Sequence, residues 1–312
     1  MFGKKILSLD IGNKNIKILQ SNITNKSFTL ENAITIDTPK NSIDDGNIMN
    51  SEYLSSYIKE NLHKEGIKAK YGIITLDYSN IISREIILPF AKKDELEEMV
   101  KYEIEQFLPI TMSDYVLDYR KREVFEDKDN TKKIRLLVVA IPKKTVKGYM
   151  DLLKTLDLQP LALDLNSNAI SKLISKGIKL NGKYIDKKDT ISLLDIGYKN
   201  TNINLISNGM NMFNRIITTG TSDLSEDNVS GYLRSIEKIF TYYKNLNREN
   251  KIEKIYLYGG GAGLKDIDKQ IETYFNIPVE KLKNISPLKT SKAMKDTNEI
   301  NYFNNIGSII RL

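Results

Sequence analysis

An internal repeat constrains the fold of this chain more than any other sequence feature. Residues 9–15 read Leu-Asp-Ile-Gly-Asn-Lys-Asn, and residues 194–200 match them at six of seven positions. The offset from Asp10 to Asp195 is 185 residues. Each copy follows a short apolar run and precedes alternating apolar residues, a pattern that predicts a β-hairpin. We therefore expect two similarly built lobes in a chain of 312 residues, which exceeds the roughly 100–200 residues of a common single domain.

Composition excludes several classes of protein. The chain has no cysteine and a single histidine, His63, which excludes disulfide frameworks, thiolate zinc sites and mechanisms that need a histidine pair. No apolar run approaches the roughly 20 residues of a membrane helix, and the run at residues 6–9 is too short for a signal peptide. We therefore expect a folded protein of the cytoplasm.

The net charge of +7 does not indicate a nucleic-acid binder. The 47 lysines and arginines are interspersed with 40 aspartates and glutamates, and no basic stripe with interleaved aromatic residues occurs. We interpret the charge as a lysine-rich, solvated surface, and leave open a secondary attraction to anionic membranes. We expect no nucleic-acid partner.

Apolar periodicity predicts alternating strands and helices in both halves. Strands are predicted at residues 27–37, 71–76, 81–88, 115–124, 134–141, 191–196, 201–207, 210–218 and 254–258. Helices are predicted at residues 50–65, 92–108, 144–156, 227–246 and 264–275. The order strand, helix, two strands, helix from residue 81 to 156 predicts a compact α+β unit inserted into the first half.

The two Asp-Ile-Gly turns are suited to binding phosphate. A carboxylate at a strand end, beside a row of turn amides, can orient Mg²⁺ through water while the amides hold phosphate oxygens. A single Asp-x-Gly is usually only a hairpin turn. Two near-identical copies, with Gly-Gly-Gly-Ala-Gly directly after a predicted strand at residues 259–263, favour a nucleotide site. The P-loop and dinucleotide fingerprints are both absent from the sequence.

These motifs resemble the actin-like ATPase superfamily, and more specifically the PilM family of type IV pilus assembly proteins, relatives of the division protein FtsA. The PilM-like segments are Arg-Glu-Ile-Ile-Leu-Pro at 84–89, Glu-Ile-Glu-Gln-Phe-Leu-Pro at 103–109 and Tyr-Val-Leu-Asp-Tyr at 115–119. The resemblance implies an α/β, actin-like ATPase fold with two duplicated lobes, a 1C-type α+β insertion and a reduced 2B subdomain.

The resemblance also implies four subdomains. Subdomain 1A would comprise residues 1–83 and 157–188, the inserted partner-binding subdomain 1C residues 84–156, and subdomain 2A residues 189–219 and 254–312. Subdomain 2B would be reduced to residues 220–253, because one helix fills most of the span between Gly220 and Gly259. The family's closing helix would comprise residues 304–312, with Gly307 as the small residue where it crosses a neighbour.

The resemblance assigns a site for ATP or ADP with Mg²⁺. The cofactor-binding residues would be Gly12, Asn13 and Lys17 in the first loop, Gly197 and Thr201 in the second, and Gly259, Gly260, Gly261 and Ala262 in the adenosine loop. Asp10 and Asp195 would hold the metal through water and, with Asp164 or Asn166 in the connecting segment, supply the catalytic polar groups. Asn13 replaces the usual serine or threonine, and Tyr198 is bulky for a phosphate turn, so weakened nucleotide affinity is expected.

The function implied is that of an adaptor at the cytoplasmic face of the membrane, with at most a slow ATPase activity. Its partner would be the cytoplasmic N-terminus of a PilN-like membrane protein, docked in a groove between 1A and 1C. The groove residues would be Leu88, Pro89, Phe107, Leu108 and Pro109, although these apolar side chains could instead only cement 1C to 1A. Other pilus assembly proteins are expected partners, membrane contact is expected to be indirect, and self-association is left open.

Two alternatives remain at this point. An FtsA-like division scaffold would carry a basic amphipathic helix after the closing helix, and the sequence stops at Arg311-Leu312. A small-molecule kinase of the superfamily would need an acceptor pocket with its own base, for which the sequence offers no evident residues.

Overall fold

Two five-stranded sheets with the same strand order form the two lobes of the protein. The computed structural model describes residues 3–24, 27–107, 111–224, 228–246 and 251–310. The first sheet contains β1 (Lys4–Ile11), β2 (Asn15–Ile23), β3 (Phe28–Asp37), β6 (Tyr71–Leu76) and β10 (Gln159–Leu165) in the order β10-β6-β1-β2-β3. The second contains β12 (Thr190–Ile196), β13 (Thr201–Ser207), β14 (Met210–Ile217), β15 (Ile252–Tyr258) and β16 (Val279–Lys281) in the order β14-β13-β12-β15-β16.

The remaining elements connect and cover these sheets. The helices are α1 (Ser51–Lys64), α2 (Lys93–Phe107), α3 (Lys143–Thr155), α4 (Asn166–Ser175), α5 (Val229–Leu246), α6 (Ile267–Phe275) and α7 (Phe303–Ile309). Two short ladders pair β4 (Ile43–Asp44) with β5 (Asn47–Ile48) and β11 (Lys179–Leu180) with β17 (Ile285–Ser286). None of the described helices combines the length and apolar character needed to span a bilayer.

The internal repeat corresponds to a structural duplication. In each sheet the repeat strand pairs antiparallel with the strand that follows it and parallel with a later strand. Asp10 lies opposite Lys17 and beside Thr75, and Asp195 lies opposite Asn202 and beside Tyr258. The two aspartates therefore occupy equivalent positions in the two sheets.

The lobes form five layers, because both faces of each sheet are buried. Helices α1 and α3 cover the outer face of the first sheet, and α5 and α6 cover the outer face of the second. A central core lies between the sheets and joins side chains of α4 and α7 to side chains of both. Burial on both faces explains why the central strands are apolar runs, such as Leu193-Leu194 with 0% exposure at both positions.

A separate α+β unit is inserted between β6 and α3. Its three strands, β7 (Ile82–Pro89), β8 (Tyr115–Glu126) and β9 (Lys132–Pro142), pair antiparallel in the order β7-β9-β8. Ile86, Leu88 and Leu136 point from this sheet onto Leu96 and Val100 of α2. We call these strands and α2 the inserted unit; the opposite face of its sheet is turned toward the lobes.

Most predicted elements occur within a few residues of their expected limits, and the differences have physical causes. Asn50 caps α1 by accepting a hydrogen bond from the amide of Tyr53, and Gly66 follows that helix with a φ of 64°. The sequence analysis did not predict β10 or α4. The predicted start of α6 at residue 264 is wrong, because a 3₁₀ turn at Gly260–Gly263 and a left-handed residue, Asp266, precede Ile267.

Helices α4 and α7 cross at the closest contact between the layers. A Cβ atom at Gly307 of α7 would lie 2.4 Å from the carbonyl oxygen of Ala169 and 2.8 Å from its Cβ. Only glycine permits this separation of the two helices. The small residue expected at the crossing of the closing helix is therefore present at Gly307.

Replacing Gly307 by alanine should push α7 away from α4 and reduce the free energy of unfolding by about 1–3 kcal/mol, the range typical of overpacking. Urea denaturation measures the change. Gly148→Ala in α3 is the matched control, since its Cβ would have its nearest heavy atom, Ile48 Cδ1, at 3.8 Å. The control should gain up to about 1 kcal/mol from helix propensity. Equal effects of the two substitutions would contradict the proposed contact.

Candidate functional site

The two Asp-Ile-Gly hairpins face each other across a small cleft between the lobes. The cleft has a volume of about 120 Å³. Six predicted site residues line it: Asp10, Gly12, Asn13, Lys17, Asp195 and Gly197. Asp77, Tyr78, Asn166 and Asn202 also contribute to its walls. The structure therefore brings the two halves of the repeat together at one site.

Each hairpin turn is closed by the same backbone hydrogen bond. The amide of Gly12 donates to the carbonyl of Asn15 (3.0 Å), and that of Gly197 donates to the carbonyl of Asn200 (2.9 Å). A Cβ at either glycine would lie within 3.0 Å of that same carbonyl oxygen. Glycine is therefore required by the tightness of each turn.

Asn304 of α7 connects the two aspartates. Its side-chain amide donates to Oδ2 of Asp195 (3.0 Å) and approaches Oδ2 of Asp10 at 3.5 Å. The Tyr258 hydroxyl donates to Oδ1 of Asn304 and so fixes the orientation of the amide. Lys17 Nζ lies 3.9 Å from Oδ2 of Asp10. Burial raises the pKa of Asp195, although the nearby Lys17 charge opposes this effect.

Asp77 is a third carboxylate of the cleft that the sequence analysis missed. It follows β6, at the same edge of the sheet as the end of β1. Burial, and then the charges of Asp195 and Asp10, raise the pKa of Asp77 well above its ordinary value. A hydrogen bond from the Asn166 side chain acts in the opposite direction. An aspartate directly after a buried strand was the signal that could have identified it.

The cleft contains buried oxygens that have no hydrogen-bond partner. They are Oδ1 of Asn13, Oδ2 of Asp77 and Oδ1 of Asn166. Unpaired buried oxygens are costly, and oxygens are the ligands that hard cations and their bound waters prefer. The residues therefore fit a hydrated Mg²⁺ with phosphate. Among the described residues no three acidic or histidine side chains converge to bind a metal directly.

Two predicted site residues, Asp164 and Thr201, form hydrogen bonds in the interior of the protein. Oδ2 of Asp164 accepts a hydrogen bond from Lys172 Nζ (2.5 Å), and Oδ1 accepts one from Asn168 (2.6 Å). The Thr201 hydroxyl is buried and donates to the carbonyl of Thr219 (2.9 Å). Neither residue lines the cleft. Asp164 thus ties β10 to α4, and Thr201 ties β13 to the segment after β14.

The glycine loop packs behind the second aspartate. Gly259 has a φ of 82°, and a Cβ there would lie 2.2 Å from Oδ1 of Asp195. A Cβ at Gly261 would clash with the Ile196 side chain, whereas Gly260 has open space around it. Neither these glycines nor Ala262 line the cleft, whose 120 Å³ is below the roughly 300 Å³ of the smallest typical ligand pockets. The cleft alone is therefore smaller than a typical nucleotide pocket, and the glycine loop lies outside it.

Two polar contacts close the mouth of the cleft. Lys14 Nζ lies 5.6 Å from the centre of the Tyr198 ring, so the two hairpin turns touch each other. Lys199 Nζ of the second turn pairs with Asp44 Oδ1 of the first lobe at 3.2 Å. Tyr198, a bulky residue for a phosphate turn, thus forms part of the closure.

A larger cavity lies between the inserted unit and both lobes. It has a volume of about 810 Å³. Its walls are the face of the inserted sheet that α2 does not cover, the start of α4, residues 210–215 of β14 and the end of α5. Five arginines line it: Arg84, Arg120, Arg122, Arg135 and Arg215. We call it the arginine cavity.

Leu88 and Pro89, two of the residues predicted to bind a partner, do not line this cavity. Leu88 is buried against α2 in the core of the inserted unit, and Pro89 is exposed. Phe107 is the last residue of α2. Leu108 and Pro109 lie outside the described residues.

A family model described as type IV pilus assembly protein PilM matches residues 8–238, most of the chain. The chain belongs to the PilM family.

Solved structures share the fold of this chain. A PilM–PilN type IV pilus biogenesis complex contains a chain with 18% sequence identity and a TM-score of 0.83, and the match covers 97% of this chain and 97% of that chain. The ethanolamine utilization protein EutJ from Carboxydothermus hydrogenoformans is 11% identical with a TM-score of 0.54, covering 97% of this chain and 88% of that chain. The expected α/β, actin-like fold of the PilM family is thereby confirmed.

Replacing Asp77 by asparagine should raise the free energy of unfolding at neutral pH. A carboxyl whose pKa is raised by folding destabilises the protein above its unfolded pKa, near 3.8, and the cost increases until the pH exceeds the folded pKa. The variant should therefore match the parent below about pH 4 and exceed it increasingly at higher pH. Urea unfolding between pH 4 and pH 8 measures this difference.

Asp129→Asn is the control, because Asp129 lies exposed in the turn between β8 and β9. It should leave the pH profile unchanged. A lower stability of Asp77→Asn than of the parent at pH 8 would show that the buried charge does not destabilise the fold.

Proposed function

We propose that this member of the PilM family is an adaptor of type IV pilus assembly at the cytoplasmic face of the membrane. It binds Mg²⁺ and a nucleotide between the two hairpins and docks the N-terminus of a PilN-like membrane protein. The cleft supports the proposal of nucleotide binding. Its walls, which include equivalent turns of the two lobes, present carboxylates, lysine side chains and unpaired oxygens. The family match carries the assignment to pilus assembly.

Different cleft residues would contact the metal and the phosphate groups of the ligand. Asp10 and Asp195 would orient the waters of Mg²⁺, and Lys17 would neutralise a phosphate oxygen. The turn amides around Asn13 and Tyr198 would add hydrogen bonds. When bound, the ion neutralises phosphate charge. The glycine loop would contact the nucleotide only beyond the cleft, so adenosine is expected to contribute little affinity.

Hydrolysis in such a site would depend on a polar group that orients a water molecule. Asp164 is paired with Lys172, whereas Asp77 and Asn166 reach the cleft. Asp77 is buried next to two like charges and binds a proton more tightly than a free carboxyl does. We therefore expect slow or undetectable ATPase activity.

Asp10→Asn and Asp195→Asn should each weaken the binding of Mg-ATP by about 10–100-fold, the usual effect of removing a group that acts through the waters of a metal. Isothermal calorimetry with purified protein measures the affinity. The same titration with Mg-pyrophosphate should give an affinity within about tenfold of that for Mg-ATP, since the glycine loop lies outside the cleft and the cleft residues would contact the phosphate groups.

The exposed-site variant Asp129→Asn should bind like the parent and serves as the control. Unchanged affinity in both cleft variants would show that the hairpins do not hold the metal. Binding of Mg-ATP with no detectable binding of pyrophosphate would show that the main contacts are made to adenosine.

A PilN-like partner is proposed from the likeness to the PilM–PilN complex. The resemblance implies a partner docked in a groove between subdomains 1A and 1C, and the arginine cavity is a concave surface that the inserted unit forms with the lobes. Leu88 is buried within that unit, so its side chain is not available to a partner. We therefore propose that the partner peptide lies in the arginine cavity, between the inserted unit, α4 and β14.

A synthetic peptide with the cytoplasmic N-terminal sequence of the PilN-like protein from the same organism should bind the purified chain. Calorimetry with and without Mg-ATP measures the affinity, and a peptide of scrambled sequence is the control. The docking role is wrong if the authentic peptide gives no heat of binding under either condition.

A further inference from the structure

Exposed lysines mark the starts of four parallel strands, two in each lobe. They are Lys4 and Lys5 at the start of β1, Lys68 and Lys70 before β6, Lys187 and Lys188 before β12, and Lys251 before β15. β1 pairs parallel with β6, and β12 pairs parallel with β15. Since neighbouring parallel strands begin at the same edge of a sheet, each lobe has one edge that is rich in lysine.

These edges lie at the opposite end of the strands from the cleft. β1 carries Asp10 near its other end, β12 carries Asp195, and Asp77 directly follows β6; all three aspartates line the cleft. The six residues from Lys4 to Asp10 span about 20 Å of extended chain. Each lobe therefore has carboxylates at one end of its central strands and lysines at the other.

Contacts at the strand starts place the lysines of the first lobe together. The Tyr71 ring, at the start of β6, has Lys4 Nζ 5.5 Å from its centre and Lys70 Nζ 5.7 Å from it. Lys68, Lys70, Lys187 and Lys188 form no ion pair within the described part of the chain. These side chains are therefore available to an external anion.

The lysine edges of the two lobes are joined by one segment of chain. Residues 176–189 run from the end of α4 to the start of β12 and contain five lysines. Ile185 of this segment packs against the central core, as do Ile23 and Phe28 at the same end of the first sheet. We call residues 3–5, 68–70, 176–189 and 251–254 together the basic face.

The basic face holds most of the excess positive charge of the chain. It contains eleven lysines and three acidic residues, Asp186, Asp189 and Glu253. Two neighbouring glutamates pair with its lysines, Glu31 with Lys5 (3.2 Å) and Glu280 with Lys254 (2.5 Å). Eleven lysines against five carboxylates leave a formal charge of +6, and the whole chain carries +7. The rest of the protein is therefore close to neutral.

The residue types of the basic face fit an anionic lipid surface better than a nucleic acid. Lysine is a compact point charge that imposes little geometry on its anion, and lysine clusters bind anionic headgroups through the field of the bilayer surface. Base readout and stacking use arginine and aromatic rings, and the face contains no arginine. Its exposed aromatic residue is Tyr184, 66% exposed, with Lys179 Nζ 4.6 Å from the ring centre. Tyrosine is enriched where proteins meet lipid headgroups.

We propose that the basic face binds directly to an anionic phospholipid bilayer, with the Tyr184 ring among the headgroups and the cleft turned away from the membrane. The choice of a lipid surface rests on the proposed location at the cytoplasmic face of the membrane. The inference adds a contact with the membrane that does not pass through the protein partner.

Flotation of the purified full-length chain with lipid vesicles tests the proposal. In about 150 mM NaCl the parent should float with vesicles of phosphatidylcholine containing about 30% phosphatidylglycerol, and should not float with phosphatidylcholine alone. Binding should be lost in about 500 mM NaCl, because salt screens exposed charges.

The quadruple variant Lys68→Gln/Lys70→Gln/Lys187→Gln/Lys188→Gln should bind the anionic vesicles at least about tenfold more weakly. The matched control is Lys92→Gln/Lys93→Gln/Lys101→Gln/Lys128→Gln, which removes four exposed lysines at or near α2 and in the β8–β9 turn. Both variants lower the net charge by four. The control should bind within about twofold of the parent, and both variants should match the parent in urea unfolding.

Tryptophan fluorescence reports which face meets the lipid without removing any charge. The chain has no tryptophan, so Tyr184→Trp introduces a single reporter on the basic face. Its emission should shift to shorter wavelength when anionic vesicles are added. Tyr102→Trp on α2 is the control, because Tyr102 is 64% exposed and lies outside the basic face, and its emission should not shift.

The outcomes separate this inference from the proposed function. Equal losses in the two quadruple variants, or no shift for Tyr184→Trp, would overturn the basic face as the lipid contact. No flotation with anionic vesicles, with the PilN-like peptide still bound, would overturn the inference and leave the docking function standing. Flotation without peptide binding would do the reverse. Tighter binding to duplex DNA than to vesicles at equal phosphate concentration would assign the face to nucleic acid and overturn the lipid inference.

Discussion

The close crossing of α4 and α7 is the contact on which the geometry of the cleft depends. Gly307 lies against the backbone of Ala169, and this contact sets the separation of the two sheets that pack on either side. Asn166 lies three residues before Ala169, and Asn304 lies three residues before Gly307. The crossing therefore carries one amide side chain from each helix into the cleft, where they contact Asp77 and Asp195. A packing constraint in the core thus positions the polar groups of the site.

The sequence predicted the parts of the fold that follow from local periodicity. Two sequence observations, the internal repeat and the strand patterns, were enough to predict that Asp10 and Asp195 lie on equivalent hairpins. Helix α4 was missed because eight of its ten residues are buried, including Ser171 and Lys172, so no apolar stripe marks it. Asp77 was missed because no glycine follows it to form a recognisable motif. Asn304 acts at the site only through the tertiary position of α7, which local sequence does not determine.

The overall charge of +7 conceals two regions of opposite character. The cleft is lined by three carboxylates, Asp10, Asp77 and Asp195, and by two lysines, Lys17 and Lys199, so carboxylates outnumber cations and favour a bound cation. The arginine cavity holds three more positive than negative groups and favours an anion. Because its five arginines come from four strands, β7, β8, β9 and β14, their convergence is visible only in the folded chain. The net charge calculated from the composition therefore does not describe the local charge of either region.

The contacts at the mouth of the cleft differ in kind from those at its base. Lys14 with Tyr198 and Lys199 with Asp44 are polar, partly exposed contacts, each of which typically contributes at most about 1 kcal/mol. The base is the apolar layer around α4 and α7, where Phe303 and Ile306 are almost fully buried. Added salt screens the exposed Lys199–Asp44 ion pair, whereas it does not screen the apolar contacts around α4 and α7. The two kinds of contact between the lobes therefore differ in their dependence on ionic strength.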